Sequence, residues 1–345
     1  MNTAIVLPTH SPALLAQAVT SAAAALRQGE VVALPTETVY GLAANALDSH
    51  AVEQIFRIKG RPSTNPVIVH IADLAMISTC VRNWPPMAQA LANAFWPGPM
   101  TLVLHKSDAI PNVVSAGGDT VGIRWPSHPV MQAVIRSCGL PLAAPSANPS
   151  NQLSPTNAQH VQRLLGNKLR LIVDGGQSQI GIESTVIDVT GPEARILRPG
   201  TIHERDIRSV VPLAGTVTTV VAAAVGQEGK IARSPGLLPK HYSPRATLRI
   251  LAWESDAEIA TLLRPALQQG QRIHVIAHRR IPLTLSLPQS QITVIPDDAE
   301  AYARALYAEL HRCDEANADL IVVEAVRNTT EWRAVADRLQ RGSAG

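Results

Sequence analysis

The chain has 345 residues, enough for two domains, and its 46% hydrophobic and 17% charged content is a globular balance that excludes intrinsic disorder. A formal net charge of +3 is too mild to announce a nucleic-acid binder by itself, although residues 1–245 carry 19 Lys/Arg against 14 Asp/Glu and residues 246–345 carry 11 against 13. A basic front and a slightly acidic back fit an anionic ligand held by the first part. Cys80, Cys138 and Cys313 lie far apart without a CxxC pair, so neither a disulfide framework nor a zinc site is expected.

The start MNTAIVLPTH lacks the basic n-region and apolar run of a signal peptide, and no apolar stretch reaches the ~18–20 residues of a membrane span. A cytoplasmic protein is expected. Ser11-Pro12 reads as a helix start, Leu15, Val19, Ala22 and Leu26 recur at helical spacing, and Gly29 stops the helix. Residues 31–34 read as a buried strand ending at Pro35. Asp48 caps a helix through Ile55 and Ile58, and residues 66–71, 100–104, 140–144, 169–173 and 185–189 read as further strands. This alternation predicts an α/β sheet domain over 1–211. A turn-rich linker over 212–246 follows. Residues 247–345 alternate strands near 248–251, 272–277, 292–295 and 320–323 with helices near 257–268, 299–313 and 331–341, predicting a small doubly wound α/β domain.

No P-loop, GxGxxG or HExxH occurs. Polar residues cluster instead at predicted strand ends, where open α/β sheets place ligands. Thr36-Glu37-Thr38-Val39-Tyr40 is the first cluster; its plain alternative is a capped helix start. Lys59-Gly60-Arg61-Pro62-Ser63-Thr64-Asn65 is the second: a point charge beside a planar fork suits a phosphate clamp, against a solvated basic loop. His70 ends the following strand. Arg124, after Thr120 and between Ile123 and Trp125, is expected to be partly buried and therefore to have an anionic partner, from the protein or a ligand. Ser146-Ala147-Asn148 places two polar side chains two residues apart; an Asn/Pro turn is the alternative. Glu183-Ser184-Thr185 and Leu197-Arg198-Pro199-Gly200 complete the series. His274 and His278, in a strand-like segment, read as core or surface histidines.

Taken in order, PTETVYGL, KGRPSTNPVIVH, FWPGPMTLVL, VGIRWP, APSANPS, GIESTVID and ILRPG resemble the YrdC-like family of threonylcarbamoyl-adenylate synthases in its long, two-domain form. The resemblance is dense over about 12–211, SPGLLPKHYSP (234–244) resembles the linker motif, and the last hundred residues match in pattern only. It implies a twisted mixed sheet with a concave, positively charged active-site cavity, plus a C-terminal Rossmann-like domain. It implies a nucleotidyltransferase joining ATP, L-threonine and bicarbonate into threonylcarbamoyl-AMP and pyrophosphate, which feeds N6-threonylcarbamoyladenosine formation in tRNAs that read ANN codons.

Lys59 and Arg61, two cations on one short loop, are expected to be catalytic, stabilising the charge of the departing pyrophosphate; the substrate contacts follow from the resemblance. Arg61, Asn65, Thr120, Ser146, Asn148, Ser154, Arg198 and Tyr242 would contact ATP. Thr36 or Thr38, His70, Arg124, Ala144 through its backbone, and Ser184 would hold threonine. Mg²⁺ would arrive with ATP, with no protein metal site and no organic cofactor. A downstream threonylcarbamoyl transferase complex would take the product, and a tRNA contact stays open. Two departures stand out: Leu238-Pro239 where the linker usually has a basic or aromatic residue, and Asp337-Arg338-Leu339 where the last helix usually has Asn-Arg-Leu.

Two other readings compete. A non-catalytic double-stranded-RNA-binding module requires a broad basic face, which the modest charge does not favour. A carbamoyl transferase of the hydrogenase-maturation type requires zinc-finger and acylphosphatase regions that this chain lacks. Residues Ser234–Ser243 are expected to fold over the front cavity as a lid, with Tyr242 touching ATP, rather than to serve as an exposed hinge.

Overall fold

A computed structural model describes residues 3–214, 241–283, 285 and 291–344. The expected linker is therefore described only at its two ends, and Ser234–Lys240 of the expected lid lie outside the described residues. The described strands are β1 Ile5–Pro8, β2 Val32–Leu34, β3 Gly41–Asn45, β4 Ile68–His70, β5 Met100–His105, β6 Thr120–Arg124, β7 Leu142–Ala143, β8 Leu171–Asp174, β9 Thr185–Asp188, β10 Arg195–Arg198, β11 Thr247–Leu251, β12 Ile273–Ala277, β13 Ile292–Val294 and β14 Leu320–Glu324. They fall into two compact units. One runs to Ser150 and from Ser154 to residue 214, and the other comprises Asn151–Leu153 and the residues from His241 onward.

In the front unit ten strands form one mixed sheet, in the order β1-β8-β2-β3-β7-β4-β6-β5-β9-β10. Helix Pro12–Arg27 starts as the sequence predicts, with the Ser11 hydroxyl accepting from Leu14 N–H and Pro12 at the first position. The Asp48 carboxylate caps helix Ser49–Lys59, and Gly60 ends it in the left-handed region at φ 60°. That C-cap turns the chain out of the helix between Lys59 and Arg61. Fully buried Leu42, Ile55, Val69, Leu102, Ile123 and Ile172 form the centre of one core face, and Ala22, Leu26, Val134 and Val173 that of the other.

The Thr36–Tyr40 cluster is not a helix start. β2 and β3 form an antiparallel pair with Leu34 opposite Gly41, and the cluster is the turn between them. β3 itself, with its small residues Gly-Leu-Ala-Ala-Asn, carries no strand signal in the sequence, yet it is held on both sides by β2 and β7.

In the C-terminal unit four parallel strands run in the order β11-β14-β12-β13. Helices Asp256–Gln268, Ala299–Glu315 and Arg333–Ser343 accompany them. This is the doubly wound pattern expected. His274 and His278 are buried, in line with a core role. Glu324, at the end of β14, accepts main-chain N–H bonds from His278, Arg279 and Arg280, so a buried carboxylate ties β14 to the end of β12. Asp337 pairs with Arg338 at 2.8 Å and Arg341 at 3.0 Å, which gives the aspartate of the Asp-Arg-Leu run a structural use. All three cysteines are buried and unpaired by disulfide.

Candidate active site

Adjacent strands β4 and β6 run parallel, with Ile68 opposite Gly122 and His70 opposite Arg124. Their register separates the predicted site residues into two groups. His70 and Arg124 sit together at the C-terminal ends. Thr120 begins β6 at the end where Asn65-Pro66 leads into β4, roughly 13 Å from Arg124 at ~3.3 Å per residue.

At the His70–Arg124 end, the Arg124 guanidinium is buried and donates from Nη1 to Thr38 Oγ1 at 2.9 Å and from Nε to the Gly98 carbonyl at 3.2 Å. Its Nη2 lies 2.6 Å from Oε1 of Glu37. Thr38 Oγ1 is in turn 2.9 Å from Thr36 Oγ1, so both threonines belong to one hydrogen-bonded chain ending on Arg124. Thr36 closes its own turn, donating to the Val39 carbonyl at 2.6 Å. His70 is 3% exposed, and its Nδ1 has no hydrogen-bond partner. Burial, reinforced by the Arg124 charge, pushes its imidazole down to about 3, so it is neutral at physiological pH. The Ala144 N–H is spent on the Ile68 carbonyl, which leaves the main chain of Ala144 pinned beside β4.

The turn Gly98-Pro99 joins this group to a second one. While the Gly98 carbonyl holds Arg124, the Pro99 carbonyl accepts the Thr185 N–H at 3.0 Å, fixing the residue after Ser184. Ser184 Oγ lies 2.8 Å from Thr101 Oγ1, and Arg198 donates from Nε to the Ser184 carbonyl and from Nη2 to its hydroxyl, each at 3.1 Å. The buried Ser154 hydroxyl donates to Glu183 at 2.6 Å, one residue away from Ser184.

Toward the other end, Lys59 and Arg61 go to different loops. Lys59 Nζ donates at 2.5 Å to the Ser146 and Asn148 carbonyls, with Asn148 Oδ1 at 3.4 Å. Burial first, then the nearby Arg61 charge, holds the Lys59 amine well below its usual range. Arg61 donates to the Asn65 and Pro66 carbonyls at 3.2 and 2.8 Å. The Asn65 side-chain amide is buried, and neither its nitrogen nor its oxygen has a hydrogen-bond partner. A buried amide left in that state is suited to a ligand that supplies both an acceptor and a donor.

Tyr242 belongs to the C-terminal unit. Its ring is 1% exposed, 5.9 Å from the Tyr307 ring and 5.4 Å from the Arg338 guanidinium, and its backbone adopts φ 62°. Two residues outside the predicted set are part of the site. Glu37 is the anionic partner that the sequence expects for Arg124, and Thr101 is the hydroxyl partner of Ser184. Glu37 stands in the first polar cluster and Thr101 in the run FWPGPMTLVL, but apart from the burial expected of Arg124 no local signal assigns either a partner.

Comparison with known proteins shows the family. Residues 24–200 match the family model Sua5_yciO_yrdC, described as telomere recombination. Residues 202–344 match a model described as threonylcarbamoyl-AMP synthase, C-terminal domain. A threonylcarbamoyl-AMP synthase of Pyrococcus abyssi is 38% identical over 325 residues, 93% of each chain. That of Bacillus subtilis is 40% identical over 328 residues, covering 95% of this chain and 93% of its own. The crystal structure of P. abyssi Sua5 complexed with L-threonine superposes with a TM-score of 0.87 at 36% identity, covering 98% of this chain and 97% of that one.

Proposed function

The chain belongs to the two-domain threonylcarbamoyl-AMP synthases, which are nucleotidyltransferase enzymes, and we propose that its front unit condenses L-threonine, bicarbonate and ATP in the site built on β4 and β6. The observation that carries this assignment of sites is the pairing of buried Arg124 and neutral His70 at one end of a strand pair whose other end carries Arg61, Asn65 and Thr120.

In this reading Arg124 receives the threonine carboxylate, since a planar guanidinium matches a carboxylate. The Thr36–Thr38 hydroxyl chain meets the substrate hydroxyl, and His70, Ser184 and the Ala144 main chain complete the pocket. The threonine amine, after loss of its proton, attacks the carbon of bicarbonate; water leaves and N-carboxy-threonine forms. An oxygen of that carboxylate attacks the α-phosphorus of ATP, the bond to the bridging oxygen breaks, and pyrophosphate departs with the electron pair. Fixed cations stabilise the charge that builds on the departing oxygens. Arg61 and Arg198 are assigned that work, with Lys59 shaping the Ser146–Asn148 loop beside them. Asn65, Thr120, Ser146, Asn148 and Ser154 are assigned to the nucleotide, and Tyr242 to it through its hydroxyl.

Among the described residues no group of three or more His, Cys, Asp or Glu is arranged to hold a metal ion. We assign Mg²⁺ to the substrate, entering on the ATP phosphates and retaining several waters. The described residues also contain no helix long and apolar enough to cross a membrane. The product, a mixed anhydride, must pass to a transferase acting on tRNA; a partner complex of that class is part of the proposal, as is cytoplasmic location.

The test is direct. Purified protein incubated with ATP-Mg²⁺, threonine and bicarbonate should yield threonylcarbamoyl-AMP by mass spectrometry, with pyrophosphate in equal amount. Omission of bicarbonate should abolish both. Pyrophosphate formed without the adenylate would refute the proposal.

A further inference from the structure

An arginine has five N–H donors. In Arg124 two are hydrogen-bonded by the protein, Nε to Gly98 and one on Nη1 to Thr38, while Nη2 lies 2.6 Å from the Glu37 carboxylate as a buried ion pair that makes no hydrogen bond among the described residues. That leaves N–H groups on both terminal nitrogens, in the plane of the fork. Glu37 and Arg124 are each about 95% buried, so water is not available to hold the guanidinium in place. Glu37 does not hang from a loose loop. Its carbonyl accepts the Ile180 N–H at 2.8 Å, and the next carbonyl, of Thr38, accepts the Gly181 N–H at 3.1 Å. The main chain that carries the carboxylate is thus anchored, and Glu37 at Nη2 and the Gly98 carbonyl at Nε flank the same edge of the guanidinium.

We propose that Glu37 is a positioning residue for amino-acid binding: by its 2.6 Å approach to Arg124 Nη2 it sets the plane in which the N–H groups of the two terminal nitrogens meet the threonine carboxylate. It acts through Arg124 and does not touch the nucleotide. The inference deepens the proposed function and rests on Arg124 being the carboxylate ligand. Rotation of the fork by a fraction of an ångström at each nitrogen is enough to break a two-point contact, whereas loss of a distant charge is not.

The experiment separates reach from charge. Glu37→Gln keeps the chain length and an acceptor oxygen but removes the charge. Glu37→Asp keeps the charge and shortens the chain by one methylene. Steady-state pyrophosphate release is measured for each against threonine and against ATP, with thermal melts alongside. Expected is a rise of at least about tenfold in the KM for threonine with Asp, with kcat and the KM for ATP within about twofold of wild type. Gln should restore the threonine KM to within about threefold of wild type. The opposite order, Asp near wild type and Gln impaired, would make Glu37 a charge neutraliser and overturn the proposal. Equal losses toward threonine and ATP in a folded Asp variant would also overturn it, as a general structural defect. If the Asp variant does not fold, Gln alone decides: a threonine KM raised tenfold in a folded Gln variant refutes positioning by reach, and a value within threefold at an unchanged melting temperature supports it. Wild-type protein that makes no threonylcarbamoyl-AMP would refute the parent reading instead, before any variant is compared.

Discussion

The amino nitrogen of Lys59 donates at 2.5 Å to the main-chain carbonyl of Asn148, 89 residues further along the chain. A second bond of equal length reaches the Ser146 carbonyl, and the Lys59 carbonyl itself accepts the Ser150 N–H at 2.8 Å. The basic loop expected to clamp phosphate therefore also fastens the Ser146–Asn148 loop.

Lys59→Met, which keeps the apolar stem, should accordingly act twice. The buried Asn148 carbonyl and the half-buried Ser146 carbonyl lose their donor, at ~1–3 kcal/mol for the buried one, and adenylate formation should fall by about 10²–10³ with loss of an ordered, cationic site. Thermal melts and pyrophosphate release read the two effects separately. A variant with both unchanged would detach this lysine from the site.

Valine should be rejected more severely than serine. A methyl set against the hydroxyl chain Thr36–Thr38–Arg124 takes water from it without supplying the hydrogen bond that the substrate hydroxyl offers. Loss of the substrate methyl costs only about 1–3 kcal/mol of apolar contact. Calorimetric titration of the three amino acids checks the order; valine binding as tightly as threonine contradicts it.

His70 makes the fold acid-sensitive. The unfolded imidazole takes up its proton near ~6.5, whereas the buried one does so at about 3. Between those values the unfolded chain binds one more proton, so stability is complete above the first and falls as pH drops toward the second. From pH 7 to 4.5 the loss from this group is about 2–3 kcal/mol. His70→Asn should show a correspondingly smaller acid loss in urea unfolding at the two pH values. An identical loss in the variant would mean that His70 is protonated without penalty in the folded protein.

Gly98→Ala should damage the same pocket from behind. A side-chain carbon at Gly98 would lie 2.4 Å from the Phe95 carbonyl oxygen, so the turn must shift. That turn carries the Gly98 carbonyl to Arg124 and the Pro99 carbonyl to Thr185. A cost of ~1–3 kcal/mol in stability together with weaker threonine binding is expected, read by urea melts and calorimetry. Unaltered threonine affinity would show that the Gly98 contact does not set the Arg124 geometry.

Two substitutions at Tyr242 divide packing from ligand contact. Tyr242→Ala removes a ring packed on Tyr307 and Arg338 and should cost the C-terminal unit about 3–5 kcal/mol. Tyr242→Phe retains the ring. With the hydroxyl assigned to the nucleotide, ATP affinity should drop in the Phe variant while the melting temperature holds. Wild-type ATP affinity in that variant would remove Tyr242 from the nucleotide site.

Local signals in the sequence determined the capped helices at Ser11 and Asp48, the apolar strands Met100–His105 and Leu320–Glu324, and the ordered series of polar motifs between them. Each depends on neighbours a few residues apart, where capping and burial periodicity act. Only the tertiary structure decided that Gly41–Asn45 is a strand, because its small residues are held by ladder bonds to β2 and β7 and not by their own propensity. The same holds for the partner of Arg124. Thr38 and Glu37 meet it across some 86 residues of chain because a β2–β3 turn and the end of β6 converge on one end of one sheet. A charge pair of that kind is set by strand order and register, which no short window of sequence contains.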